Sequence, residues 1–248
     1  MAFRHRHRIL RHSRKSRFDN LTVRRFSFSM FVLSCEPATC AVPEWHKEIF
    51  RNHEETIYSG EGWAPGSLNL AQAFATKLRS LLAHGDITRL LIDFSKSLDD
   101  PTRFSRFSNT LSEDQRRKLD ERHHAAYFNL IKQRIAEEQR KSGVALHLSI
   151  RTDAFEGMPV VTLIHDPSRD LESVFVQKWA ESLRSSAPDL SIVVAADPNY
   201  GLSASMRETF PSGFGSVSLV VAQSTFLEGR PVRWEAMKKL LLDSLPRS

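Results

Sequence analysis

Short, continuously apolar runs alternate along this chain with longer segments patterned at helical spacing. That alternation limits the fold more than any other feature. The runs are "MFVLS" (30–34), "ITRLLIDF" (87–94), "VALHLSI" (144–150), "PVVTLIHD" (159–166), "LSIVVAA" (190–196) and "GSVSLVVAQ" (215–223). Each has strand length and reads as apolar throughout rather than as alternating apolar and polar. Strands of that kind belong in a sheet covered by helices on both faces.

The segments between them carry helix signals. Pro43 opens a short helix, "EWHKEIF". Leu68, Ala71, Phe74, Ala75, Leu78, Leu81 and Leu82 recur at helical spacing over 64–85, with Gly85 as the stop. Ser112 and Gln115 form a capping-box signature for a long helix that reaches Lys141 and ends at Gly143. Further helices are expected over 168–187, around 202–209 and over 233–245, and a polar loop over 95–111. Residues 30–248 contain no internal repeat or linker, so one α/β domain is expected. Ligand sites in such sheets form beyond the strand C-termini, here at 35–40, 95–96, 151–153, 166–167 and 223–225.

Charge is divided unevenly. The formal net charge is +6, but nine of the 35 Arg and Lys and one of the 29 acids lie in residues 1–29. The remainder carries about −2, so a nucleic-acid partner is expected only through residues 1–29. That segment reads as a basic disordered arm, an Arg-rich transit-like segment, or residues ahead of a true start at Met30. No apolar run approaches the roughly 20 residues that span a bilayer. Cys35 and Cys40 are too few for a disulfide framework and read as buried or partly buried free thiols in a reducing, cytoplasmic setting.

Chemical motifs are scarce. No glycine-rich phosphate loop, G-x-S-x-G elbow or H-E-x-x-H occurs. His123 and His124 are adjacent on a helix, about 100° apart, and cannot easily share a metal. His147 lies inside an apolar strand, where a hydrogen-bonded core histidine is expected. His165 ends a strand beside Asp166 and Pro167. Arg89 and Asp93, four apart in a strand-like run, would share a face and form either a structural ion pair or a carboxylate-recognition arginine held by an aspartate.

Six segments in order resemble the N-formylglutamate amidohydrolase family over nearly all of 30–245. They are "SCEPATCAVP", "GEGWAPGS", "RLLIDFSKS", "TRFSRFSNTLSEDQRRKL", "HLSIRTD" and "VVAQSTF". The family pattern runs S-C-E-H-G-G and a proline, H-R-G-Y-D-P-G-A, R-L-L-V-D-L-N-R-S, a phenylalanine-containing loop, H-L-S-V-H-S and a late E-x-x-Q. The resemblance implies a three-layer α/β sandwich, a mixed sheet flanked by helices, similar to the zinc carboxypeptidase (phosphorylase/hydrolase-like) fold. It also implies hydrolysis of a formyl amide to formate and an amino acid, by water activated on zinc held by about three ligands.

Position by position, the likeness divides. Pro37 stands at the family's first histidine, with Ala38 and Thr39 at its two glycines. Ala64 replaces the aspartate before Pro65-Gly66, and Arg151 the second histidine of the strand that begins at His147. Val220 replaces the late glutamate, and Ser95 and Lys96 replace an asparagine and an arginine. Proline, alanine and valine offer no donor, and arginine keeps its positive charge. Glu36, Pro65, Gly66, Arg89, Asp93 and Gln223 keep the pattern; residues 197–204 look shortened.

The resemblance therefore implies a retained fold with its metal and acid–base residues lost, and no cofactor. The expected activity is non-catalytic binding of a small acidic ligand or a partner. The expected pocket is Glu36, Arg89, Asp93, Ser95, Lys96, Arg151, Asp153 and Gln223. The alternative is an active, zinc-dependent amidohydrolase of an N-formyl or N-acyl amino acid, with a site rebuilt from Glu36, Asp153, His165 and Cys40.

Overall fold

A computed structural model describes residues 30–154, 157, 159–226 and 231–246. The three readings of residues 1–29 lie outside these.

Six strands form one sheet: β1 (Phe31–Cys35), β2 (Leu82–His84), β3 (Ala145–Asp153), β4 (Val161–His165), β5 (Ile192–Ala196) and β6 (Phe214–Ala222). Their order is β2-β1-β3-β6-β4-β5. All neighbours are parallel except β4, which runs antiparallel to β6. The sheet is thus mixed, as the resemblance implies.

Helices cover both faces. Described in chain order, they are α1 (Glu54–Tyr58), α2 (Ser67–Leu78), α3 (Glu113–Leu119), α4 (Ala125–Ser142), α5 (Asp170–Ser186), α6 (Leu202–Thr209) and α7 (Pro231–Asp243). One face packs against α2, α5 and α7. There Phe31, Leu33, Leu146, Leu148, Ile150, Val217 and Leu219 of the central strands meet Phe74, Phe175, Trp179 and Leu241 of the helices. Phe31, Phe74, Phe175 and Trp179 form a run of edge-on and tilted ring contacts with centroids 5.5–6.0 Å apart. The other face meets α4, α6 and the 87–107 segment through Ile92, Phe94, Phe128, Ile131 and Met206.

The expected helix over 64–85 divides in two. Arg79 adopts left-handed backbone angles (φ 51°, ψ 37°) and ends α2, and the Leu81-Leu82 pair that prolonged the helical spacing leads into β2. Gly85 is therefore no helix stop. It lies where a Cβ would collide with the Glu36 carbonyl, so it permits a close approach of two backbones. Gly66 starts α2 at φ +84°, and a Cβ there would meet the Phe226 ring at 2.6 Å.

The second expected strand, 87–94, is not one. Its residues form buried turns, with Leu91 and Ile92 fully buried. An apolar run of this length reports burial, not backbone direction. The long helix opens with the expected capping box at Ser112 and Gln115 and closes at Gly143 (φ 76°). A π turn, Asp120–His124, interrupts it between α3 and α4.

Candidate functional site

The central strands are not apolar throughout. On the face toward α4 and α6, alternate positions are polar: Ser34 on β1, His147, Ser149, Arg151 and Asp153 on β3, and Ser216 and Ser218 on β6. Registry aligns them, pairing Ser34 with Ser149, His147 with Ser216 and Ser149 with Ser218. The two-residue period of a strand brings these side chains to one face.

Glu36, one step beyond β1, is 4% exposed and lies at the end of this stripe. Its Oε1 accepts from the Ser34 hydroxyl (2.5 Å) and the Tyr127 hydroxyl (3.1 Å), and its Oε2 from Ser149 (2.7 Å). His147 continues the network, with Nε2 2.8 Å from the Ser34 hydroxyl and Nδ1 2.8 Å from that of Ser216. Because Ser34 donates to Glu36, its oxygen accepts from Nε2–H. Burial, aided by the Arg207 charge, pushes the His147 ring down to about 3. It is the satisfied core histidine that the strand pattern predicts.

Beyond the strand ends opens a cleft of about 590 Å³. Arg89, Asp93, Ser95, Lys96 and Arg151 line it, joined by Asp197, Tyr200, Ala204, Ser205 and Glu208 from α6 and the segment before it. Five of the eight expected pocket residues thus meet there. Arg89 and Asp93 do so without a shared strand face and without pairing to each other. The Arg89 guanidinium donates to the carbonyls of Glu61 (2.9 Å) and Gly60. Asp93 accepts from the backbone (2.9 Å) and hydroxyl (2.7 Å) of Ser95.

Arg151 is held from behind. β3 extends through Asp153, so both side chains leave the same face, and Arg151 pairs with the Asp153 carboxylate. Its Nε is buried and has no hydrogen-bond partner. Burial alone would lower the Arg151 guanidinium, but Tyr200, Asp153 and Glu36 hold it above the ordinary arginine value. Burial and the nearby Arg151 charge pull Arg89 down. Burial raises Tyr200, against the pull of Arg151; its ring centroid lies 6.0 Å from the Arg151 guanidinium.

Gln223 lies elsewhere. Its side chain donates to the Thr152 hydroxyl (3.3 Å), which itself donates to the Pro65 carbonyl (2.6 Å), tying the end of β6 to the turn before α2. The alternative cluster also disperses. Cys40 lines a separate apolar pocket with Phe50, Ile57 and Tyr58, and His165 bonds the Ala195 carbonyl at 3.2 Å. Both cysteines are free, Cys35 buried and Cys40 half-buried.

The zinc that the resemblance implies would lie near Glu36. Glu36, the carboxylate retained there, has both oxygens occupied by hydroxyls and feels the Arg151 guanidinium. Among the described residues no three His, Cys, Asp or Glu side chains are grouped to hold an ion.

Tyr200, Asp197, Glu208, Tyr127 and the serines of the stripe are not among the residues that the sequence patterns single out. The serines carry a signal, S-x-E at the end of β1, H-x-S-x-R-x-D in β3 and S-x-S in β6, which averaging each run as apolar conceals. Glu208 of α6 and Asp197 and Tyr200 before it carry none.

No protein-family profile matches the chain, and no curated protein sequence does. Solved structures do. Gene product Atu2144 from Agrobacterium tumefaciens is similar with a TM-score of 0.65 at 15% identity, covering 91% of each chain. N-formylglutamate amidohydrolase from Ralstonia eutropha JMP134 is similar with a TM-score of 0.58 at 12% identity, covering 86% of this chain and 92% of that one. At these identities the likeness is one of fold. Among the described residues no helix is long and apolar enough to cross a membrane.

Proposed function

We propose that this chain is an N-formylglutamate amidohydrolase-like protein whose cleft binds a small carboxylate-bearing ligand without metal-dependent hydrolysis. The observation that carries the reading is Arg151. It lines the cleft with a buried, unpartnered Nε, at the position where the family pattern has a histidine. Its fixed charge takes the electrostatic part of a metal ion, attracting a carboxylate, but activates no water. Arg89 and Lys96 add positive charge to the same cleft. Its carboxylates, Asp93, Asp99, Asp100, Asp197 and Glu208, favour a ligand that also carries an amide N–H or an amino group. Residues 30–248 as one domain and a cytoplasmic setting belong to the same proposal; the free thiols support the latter.

Thermal shift against N-formylated, N-acylated and free acidic amino acids tests it. A ligand at 100 times its Kd stabilises by about 2.7 kcal/mol, and each kcal/mol raises Tm by ~2–4 °C in a chain of this size. Arg151→Ala should abolish the shift, and Arg151→Lys, which keeps the charge beside Asp153, should weaken it. No shift with any member of the series would sink the ligand reading. Metal content after incubation with zinc and gel filtration tests the other half. The expected content is far below one ion per chain. One tightly held zinc, with formate released from N-formylglutamate and stopped by chelator, would replace this reading with an active amidohydrolase.

A further inference from the structure

A further pocket of about 250 Å³, sharing no lining residue with the cleft, opens between the Glu44–Phe50 turn of 3-10 helix and the α3–π segment. Trp45, His46, Gln115, Lys118, Arg122 and His123 line it. The charged side chains among them are both cationic, and two histidines stand with them.

His46 is 5% exposed, yet among the described residues its ring has no hydrogen-bond partner. Nδ1 is sealed and has no partner, which leaves Nε2 as the nitrogen open to the pocket. A neutral ring so placed carries its proton on Nε2, where a partner can reach it, and presents an N–H donor. Burial, His123 and Arg122 hold the ring below the ordinary histidine value. The Lys118 and Arg122 charges in the lining oppose a metal ion and favour an anion.

Two cations and a second histidine line the pocket with it. Arg122 has no carboxylate partner among the described residues and stands 5.4 Å from the Trp45 ring centroid. Lys118 shares Asp114 with Arg117. His123 is oriented by Asp86, 2.9 Å from its Nδ1. Trp45 itself is 65% exposed, a large planar surface left in water next to a guanidinium.

We propose that this pocket binds a small phosphomonoester carrying a planar ring, of the nucleoside monophosphate class. The phosphate takes the donors of His46, Lys118 and Arg122, and the ring stacks on Trp45. A phosphate dianion uses several convergent donors where a carboxylate uses two, and base–indole stacking rewards the exposed face.

Calorimetric titration of the whole chain at low salt tests this with three probes: adenosine monophosphate, inorganic phosphate and adenosine. Adenosine monophosphate should bind saturably, with Kd at or below about 1 mM. Inorganic phosphate and adenosine should each bind roughly tenfold or more weakly. Arg122→Ala and Trp45→Ala, both at exposed positions, should each weaken adenosine monophosphate by roughly tenfold. Arg151→Lys, in the cleft, should leave it unchanged, which separates this site from the proposed carboxylate site. Absence of binding up to about 5 mM overturns the proposal. So does binding that ignores Arg122 and Trp45 or disappears with Arg151→Lys. Inorganic phosphate binding as tightly as the nucleotide overturns the role of the ring.

Discussion

At the scale of single residues, His147 shows how a strand pattern becomes chemistry. A histidine in an apolar run has to satisfy two nitrogens, and the neighbouring strands supply Ser34 and Ser216 for them. The ring is held neutral, down to about 3 against an ordinary value of 6.5. Between those two values the unfolded chain takes up a proton that the folded ring refuses, so stability falls as pH falls through the window and is unaffected above it. The steepest loss is about 1.4 kcal/mol per pH unit. Urea unfolding at pH 7 and pH 5 should show a drop of about 2 kcal/mol from this group, and His147→Gln should flatten it. An unchanged slope in the variant would assign the drop to other groups. That Pro37, Ala64 and Val220 offer no side-chain donor and Arg151 carries a fixed charge is legible in the chain's residue order alone, because donor chemistry belongs to the side chain itself. The closing of three hydroxyls around Glu36 is not, since Ser34, Tyr127 and Ser149 come together only through three separate elements.

At the scale of elements, two devices hold the cleft in place. The first is the π turn within the long helix. It directs His123 to Asp86 and the fully buried His124 to the Lys96 carbonyl, 2.9 Å away, so the extra residue of the turn fastens the loop that carries Ser95 and Lys96. The second lies where antiparallel β4 parts from β6 beyond the Ile164–Ser218 pair. Glu172, from the first turn of α5, fills the gap and accepts from the backbone of Ser216 (2.8 Å) and Asp166 (2.7 Å). Arg207 of α6 neutralises it through two bonds of 2.9 and 2.8 Å and also donates to the Pro198 and Ser216 carbonyls. Removing one member of such a buried pair typically costs about 3–5 kcal/mol. Arg207→Ala should therefore unfold at markedly lower urea, and the double change Arg207→Met with Glu172→Gln should recover part of the loss. Equal stability of Arg207→Ala and the parent would mean that water replaces the guanidinium there. Helical spacing locates most helices, but it runs α2 into β2, and the apolar run over 87–94 mimics a strand. In each case apolar side chains continue past the point where the backbone changes direction, and composition carries no record of that.

At the scale of the whole molecule, the two faces of the sheet have different work. The face toward α2, α5 and α7 is an apolar core centred on Trp179, which is fully buried and donates from Nε1 to the Leu241 carbonyl at 3.2 Å. The opposite face carries the polar stripe that ends in the cleft. Trp179→Ala should cost about 3–5 kcal/mol, read as a lower urea midpoint, while leaving ligand affinity in the cleft unchanged below the transition. A parallel loss of affinity would show that the two faces are coupled through the sheet. The α/β class, the mixed sheet implied by the family resemblance, and the side-chain chemistry of each pocket candidate are all written in the linear chain. They are properties of local pattern and side-chain chemistry, which a chain carries along its length. Folding alone settles that Arg89, Lys96 and Arg151 share one cleft with Tyr200, Asp197 and Glu208, that Gln223 and Cys40 do not, and that Glu36 is capped by hydroxyls. Those facts depend on which strands are neighbours and in what register, and contacts between residues far apart in the chain are set by the packing of the whole molecule.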